Sequence, residues 1–225
     1  MKKISIATGT LITLLMAVVA SFAQTNSRDD LLKQIEAKRA ELEVLEKRFL
    51  AASEEDQATY AEFLSQADTG LIRLLPREKF DSDVFKDEKK TITMRGGGAY
   101  YSFVRKTHEY GHGSDISLER DHLKSGFVGG NFGILTLLGE VPLESVTLET
   151  PVAQAMATPA GEKRRSNQDR LPLKLNATYL LRSIDNSRSD VLVAFKVVRL
   201  DTDGSAVILW KLLKSFPVKD VAKNK

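Results

Sequence analysis

Residues 173–214 read LKLNATYLLRSIDNSRSDVLVAFKVVRLDTDGSAVILWKLLK. Three apolar, β-branched and aromatic runs, 173–184, 191–200 and 206–214, are separated by two clusters of turn-forming residues. The first cluster, Asp185-Asn186-Ser187-Arg188-Ser189-Asp190, reads as a loop. The second, Asp201-Thr202-Asp203-Gly204, reads as a tight hairpin turn in which Gly204 supplies a positive φ. In the last run Ala206, Ile208, Trp210 and Leu212 alternate with Val207, Leu209, Lys211 and Leu213, so both faces are largely apolar. A period of two with two apolar faces predicts an antiparallel meander covered on both sides.

Upstream, the same texture begins after Lys90. Residues 91–94, Gly96-Gly97-Gly98 and residues 99–104 read as strand, turn and strand, and 115–118, 126–128 and 132–138 are further strand candidates. Alternation sends Tyr101 and Phe103 to one side and Tyr100 to the other, which predicts core packing for the first two. Residues 151–170 turn from Ala-rich to polar and basic, and read as a short helix with a loop. Residues 91–225 are thus expected to form a mainly antiparallel β domain, a sandwich or an open barrel.

The front of the chain is helical in pattern. Residues 27–50 contain no Gly or Pro and are rich in Leu, Glu, Lys, Arg and Ala. Ser27 reads as the N-cap, with Asp29 and Asp30 in the first turn, so the helix starts at Arg28. Leu31, Ile35, Leu42, Leu45 and Phe49 share one stripe, interrupted by Lys38. That stripe requires a partner: packing against the second helix or the later domain is the expectation, and oligomerisation through it the alternative. Ser53 followed by Glu54, Glu55 and Asp56 reads as a capping box that starts a second helix running to about Gln66. Residues 24–69 are read as the helical segment and residues 70–90, dense in both signs of charge, as a linker. The fold class expected is therefore α+β.

Residues 1–23 carry Lys2 and Lys3, a short apolar run, and Ser21-Phe22-Ala23 before Gln24. This is the pattern of a secretory signal peptide cleaved after Ala23, which predicts export to the periplasm or the extracellular space with no transmembrane span left. Cleavage lowers the formal net charge of +3 by the two leader lysines, to +1. A near-neutral exported chain gives no basic face for nucleic acid. The absence of cysteine rules out disulfides, thiol nucleophiles and Cys-based zinc sites.

One motif carries chemistry. His108-Glu109-Tyr110-Gly111-His112 matches H-E-x-x-H and in that respect resembles the active-site motif of zincin metallopeptidases. The resemblance covers five residues and implies His108 and His112 as zinc ligands and Glu109 as the general base. The motif works only on a helical turn, yet Gly111 lies inside it, Gly113 and Ser114 follow it, and a strand-like run abuts it upstream. Leu118 stands where one zincin branch has a third histidine, and His122 and Glu140 are the more distant ligands available.

Other features read as ordinary structure. Gly96-Gly97-Gly98 lacks the spacing of a phosphate loop, Asp201-x-Asp203-Gly204 lacks the later ligands of a calcium loop, and there is no Gly-x-Ser-x-Gly elbow. The sequence thus predicts an exported cell-envelope protein with a non-catalytic binding or structural role, without cofactor, whose partner is a protein or an envelope ligand. The alternative is a zinc-dependent hydrolase built on His108, Glu109 and His112.

Overall fold

The computed structural model describes residues 28–80, 98–108, 113–127, 131–158, 169–185 and 188–218. The leader at 1–23, Ser27, the expected strand at 91–94, and Glu109 and His112 lie outside the described residues. The chain divides into two compact units, Met1–Phe49 and Leu50–Lys225.

In the first unit, α1 (Arg28–Leu50) begins where the sequence predicts. Acidic Asp29 and Asp30 occupy its first turn and basic Lys47 and Arg48 its last, each complementing the helix dipole. Lys47 reaches Glu43 at 2.8 Å and Lys38 reaches Glu41 at 2.6 Å. No residue of α1 is buried. No described helix is long and apolar enough to cross a membrane.

The second unit is an α+β domain of two antiparallel sheets. Its strands are β1 (Thr69–Leu74), β2 (Tyr100–Tyr101), β3 (Ile116–Glu119), β4 (His122–Lys124), β5 (Asn131–Gly139), β6 (Arg170–Pro172), β7 (Thr178–Asp185), β8 (Ser189–Leu200) and β9 (Ala206–Ser215). The larger sheet has the order β1-β9-β8-β7-β5 and the smaller β2-β3-β4-β6. The meander β7-β8-β9 is the predicted one. Gly204 has φ +86° in its second turn, where the Gly204 amide donates to the Asp201 carbonyl at 3.0 Å.

The larger sheet is apolar on both faces, as the alternation requires. Ile208 and Trp210 of β9, Phe195 of β8 and Tyr179 of β7 join Phe103, Ile116 and Leu123 in the core shared with the smaller sheet. On the opposite face Leu180, Leu192, Ala194 and Leu209 are covered by Phe63, Leu143, Val146 and Met156. The cover comes from α3 (Ala61–Leu64), a 3-10 turn (Leu143–Ser145) and α5 (Pro151–Met156), while α2 (Glu54–Thr59), just ahead of α3, buries no residue.

One transverse row organises the inter-sheet core. Register places Tyr179 opposite Phe195, Phe195 opposite Trp210, and Trp210 opposite Gly70. Tyr179 and Phe195 stack with ring centroids 5.1 Å apart, and Phe103 meets Trp210 edge-on at 5.2 Å. The indole lies over Gly70, where a Cβ would fall 2.6 Å from it. Glycine at that edge position is the residue that lets the indole settle on the sheet.

Four expectations are corrected. The segment at 70–90 does not open as a linker: β1 pairs with β9 along its whole length, and α4 (Arg77–Phe80) follows. Ile72 and Leu74 point into the inter-sheet core, so the short apolar run is an edge strand. The second helix breaks at Tyr60 into α2 and α3, where the Thr59 hydroxyl bonds back to the Glu55 carbonyl at 2.8 Å. The strand expected at 126–128 is instead β4, three residues long, entered through a turn with Arg120 at φ +54°. The strand expected at 99–104 shortens to β2, because its next amides bond to a side chain described below.

Candidate functional site

The motif at 108–112 begins where the chain leaves β2. Ser102 forms a bridge with Thr107, and the intervening residues make a turn in which Lys106 has φ +55°. Asp115, which precedes β3, holds this turn. Its Oδ2 accepts from the Phe103 amide at 2.7 Å, and the Val104 amide and the Ser102 and Ser183 hydroxyls also hydrogen-bond to its carboxyl. Two of those donors, the Phe103 and Val104 amides, are groups that a continuing strand would have offered to a neighbour, which is why β2 is short.

Asp115 is almost wholly buried. Burial pushes its carboxyl up to about 6, with the four hydrogen bonds opposing the rise. Beside it, Tyr101 is pushed up to about 12, first by burial and then by the Asp115 charge. The Tyr101 ring meets the His108 ring at 5.0 Å, edge to face.

His108 is half-buried, and its Nε2 lies 2.8 Å from the carbonyl oxygen of Arg73 on β1. A carbonyl only accepts, so Nε2 carries the proton and donates. Burial holds the imidazole below its ordinary range, against the opposing effect of that bond, and the ring is neutral at neutral pH. Its other nitrogen, Nδ1, is then the acceptor of the ring. His108 thus ties the turn to the edge strand β1.

The remaining candidate ligands are placed elsewhere. His122 sits on β4 opposite Glu119, with Nδ1 2.6 Å from Asp121 Oδ1. Among the described residues no three His, Asp or Glu side chains are gathered so as to hold a metal ion. Residues 113–115, which follow the motif, are in turn and coil, with Gly113 at φ +104°.

Two polar clusters carry no motif in the sequence. Arg182, buried on β7, forms a two-pronged pair with Asp190, Nε to Oδ1 at 3.1 Å and Nη2 to Oδ2 at 2.9 Å. Its Nη1 donates to the Met156 and Thr158 carbonyls at the end of α5, and its guanidinium lies 4.3 Å from the Phe216 ring centroid. Near the β8–β9 turn, Arg73 bonds Asp203 at 2.8 Å and Arg199 bonds Asp201 at 2.7 Å, while Arg199 also pairs with Asp56 of the α2 capping box. A lone arginine in an otherwise apolar strand was the signal available for Arg182.

Chemically, Asp115, Tyr101 and His108 bring an acid, a phenol and an imidazole into one neighbourhood. Asp115 and Tyr101 are buried and His108 half-buried, and the hydrogen bonds of Asp115 and His108 go to backbone and hydroxyl groups of the same turn, the sheet edge and β7. The arrangement fixes the turn that leads into His108. No protein-family model, curated protein or solved structure matches the chain.

Proposed function

We propose that this is an exported cell-envelope protein with a non-catalytic binding role, in which α1 is the contact surface and the β domain the body that it serves. The observation that carries the reading is the apolar stripe of α1. Leu31 and Ile35 are each 46% exposed, Leu45 53% and Phe49 50%, on a helix that buries no residue. An exposed apolar stripe rimmed by charge, broken here only at Lys38, is the signature of an interaction surface. Export rests on the leader pattern of residues 1–23.

The use made of His108 supports the non-catalytic part. Its Nε2 is bonded to a backbone carbonyl and its ring is packed against Tyr101. A histidine so placed contributes to the fold whether or not a metal is present.

The zinc-dependent hydrolase on His108, Glu109 and His112 is the second reading, and one observation favours it. A ligating histidine commonly anchors one ring nitrogen on a backbone carbonyl and ligates through the other, and His108 has that anchor.

Fractionation and metal analysis test the two readings together. The protein is expected in the exported fraction with Gln24 as its first residue, without stoichiometric zinc and without peptidase activity. Zinc-dependent hydrolysis lost in a Glu109→Ala variant would refute the non-catalytic role, and retention in the cytosol would refute export.

A further inference from the structure

We infer that α1 pairs with α1 of a second copy of this chain, in antiparallel orientation, as a two-helix coiled coil. The inference rests on the partner-binding reading above and names the partner. Its basis is the heptad register of the stripe: Leu31, Lys38 and Leu45 fall at d positions and Ile35, Leu42 and Phe49 at a positions. In an antiparallel pair each a residue faces a d residue. One register uses all six, placing Leu31 against Phe49, Ile35 against Leu45, and Lys38 against Leu42, each twice.

The lysine decides the orientation. In a parallel pair in register, d faces d, so Lys38 stacks on the partner's Lys38 inside the seam. The same arrangement sets Glu41 at g against the partner's Glu46 at e, on both sides. Both contacts are like-charge. In the antiparallel register Lys38 packs its stem on the partner's Leu42 and brings its ammonium beside the partner's Glu41, the residue type it already bonds within its own helix at 2.6 Å. The cost is one Arg39 to Arg39 and one Glu41 to Glu41 approach at the solvated rim, where charges interact weakly, the second being offset by the two Lys38 ammoniums beside it. The opposed helix dipoles add attraction.

A second copy fits the stripe better than an unrelated apolar surface. A plain apolar groove would leave Lys38 with only the Glu41 of its own helix, whereas another α1 adds a second Glu41 at the same height. The flanks alternate in sign over 36–48, so the same helix provides both halves of the complementarity.

The absence of native cysteine makes the test direct. Ile35→Cys and Leu45→Cys variants of the full coding sequence are purified under reductant, then oxidised separately and mixed. The expected result is a disulfide-linked dimer formed in the mixture and weak or absent in either variant alone. The accompanying wild-type light-scattering mass is expected to be that of a dimer, and that of Leu42→Glu a monomer with unchanged Trp210 emission. Lys38→Leu is expected to tighten association about tenfold or more and to raise the links formed within the Ile35→Cys variant, because the Lys38 to Lys38 part of the penalty on the parallel form is gone. Links within each single variant on the wild-type background would overturn the orientation, and a monomer or a trimer would overturn the pairing. A monomer leaves the non-catalytic reading standing, since that reading fails on Glu109-dependent hydrolysis instead.

Discussion

Asp115 makes the stability of the β domain depend on pH in a direction opposite to that of most carboxylates. Its carboxyl titrates at about 6 in the folded chain, against 3.8 for the unperturbed group. Below 3.8 the side chain is protonated in both states and its contribution is fully present. As pH rises, the unfolded chain ionises first, and stability is lost until the folded form ionises near 6. A difference of that size corresponds to about 3 kcal/mol. Against a usual total of roughly 5–15 kcal/mol for a domain, this is a large fraction.

His108 acts in the opposite sense. Its folded-state value is depressed, so its contribution is present above 6.5 and lost as pH falls. The wild-type profile alone therefore mixes the two groups. Subtracting the profile of Asp115→Asn isolates the carboxyl, because the histidine and the surface carboxylates are common to both proteins and Tyr101 titrates far above the range. Urea unfolding followed by the emission of Trp210, the single tryptophan, gives the difference at each pH. Wild type is expected to gain about 3 kcal/mol on the variant between pH 7.5 and pH 3.5, a midpoint shift of roughly 1–1.5 M at the usual urea sensitivity. Profiles that stay parallel across that range would show that burial does not govern Asp115 and would refute the reasoning.

The same assay checks two further expectations. Gly70→Ala puts a methyl 2.6 Å from the Trp210 indole, so it should cost about 1–3 kcal/mol and shift the emission maximum; an unchanged spectrum and midpoint would contradict the transverse row. Asp190→Ala leaves the Arg182 guanidinium buried without its carboxylate, for an expected loss of about 3–5 kcal/mol, which an equal loss in the double variant with Arg182→Met would contradict.

Legibility of the fold followed how local its signals were. The meander was readable because each of its strands is long and the second turn carries its own glycine at 204. Strand β4 was hidden, since only Leu123 points inward between His122 and Lys124, and one apolar residue makes no pattern. Strand β1 was hidden by the charged stretch behind it, and only its pairing with β9 identifies it. At the candidate site His108 was singled out for a motif, but its hydrogen-bond partner lies 35 residues earlier in the chain. Asp115 gave no signal at all, because the amide it holds belongs to a turn twelve residues earlier in the chain.

These placements share a physical consequence. Asp115, His108 and Arg182 each hydrogen-bond backbone groups of turns or strand ends, and so hold those segments in place. The apolar side chains of α1 are in the reverse condition. Its two intrahelical ion pairs and its charged ends are worth only tenths of a kcal/mol each, and a helix of this length is marginal in water without burial of a face. For α1 that stabilisation needs a surface over its apolar stripe, which is what the antiparallel second copy inferred above would supply.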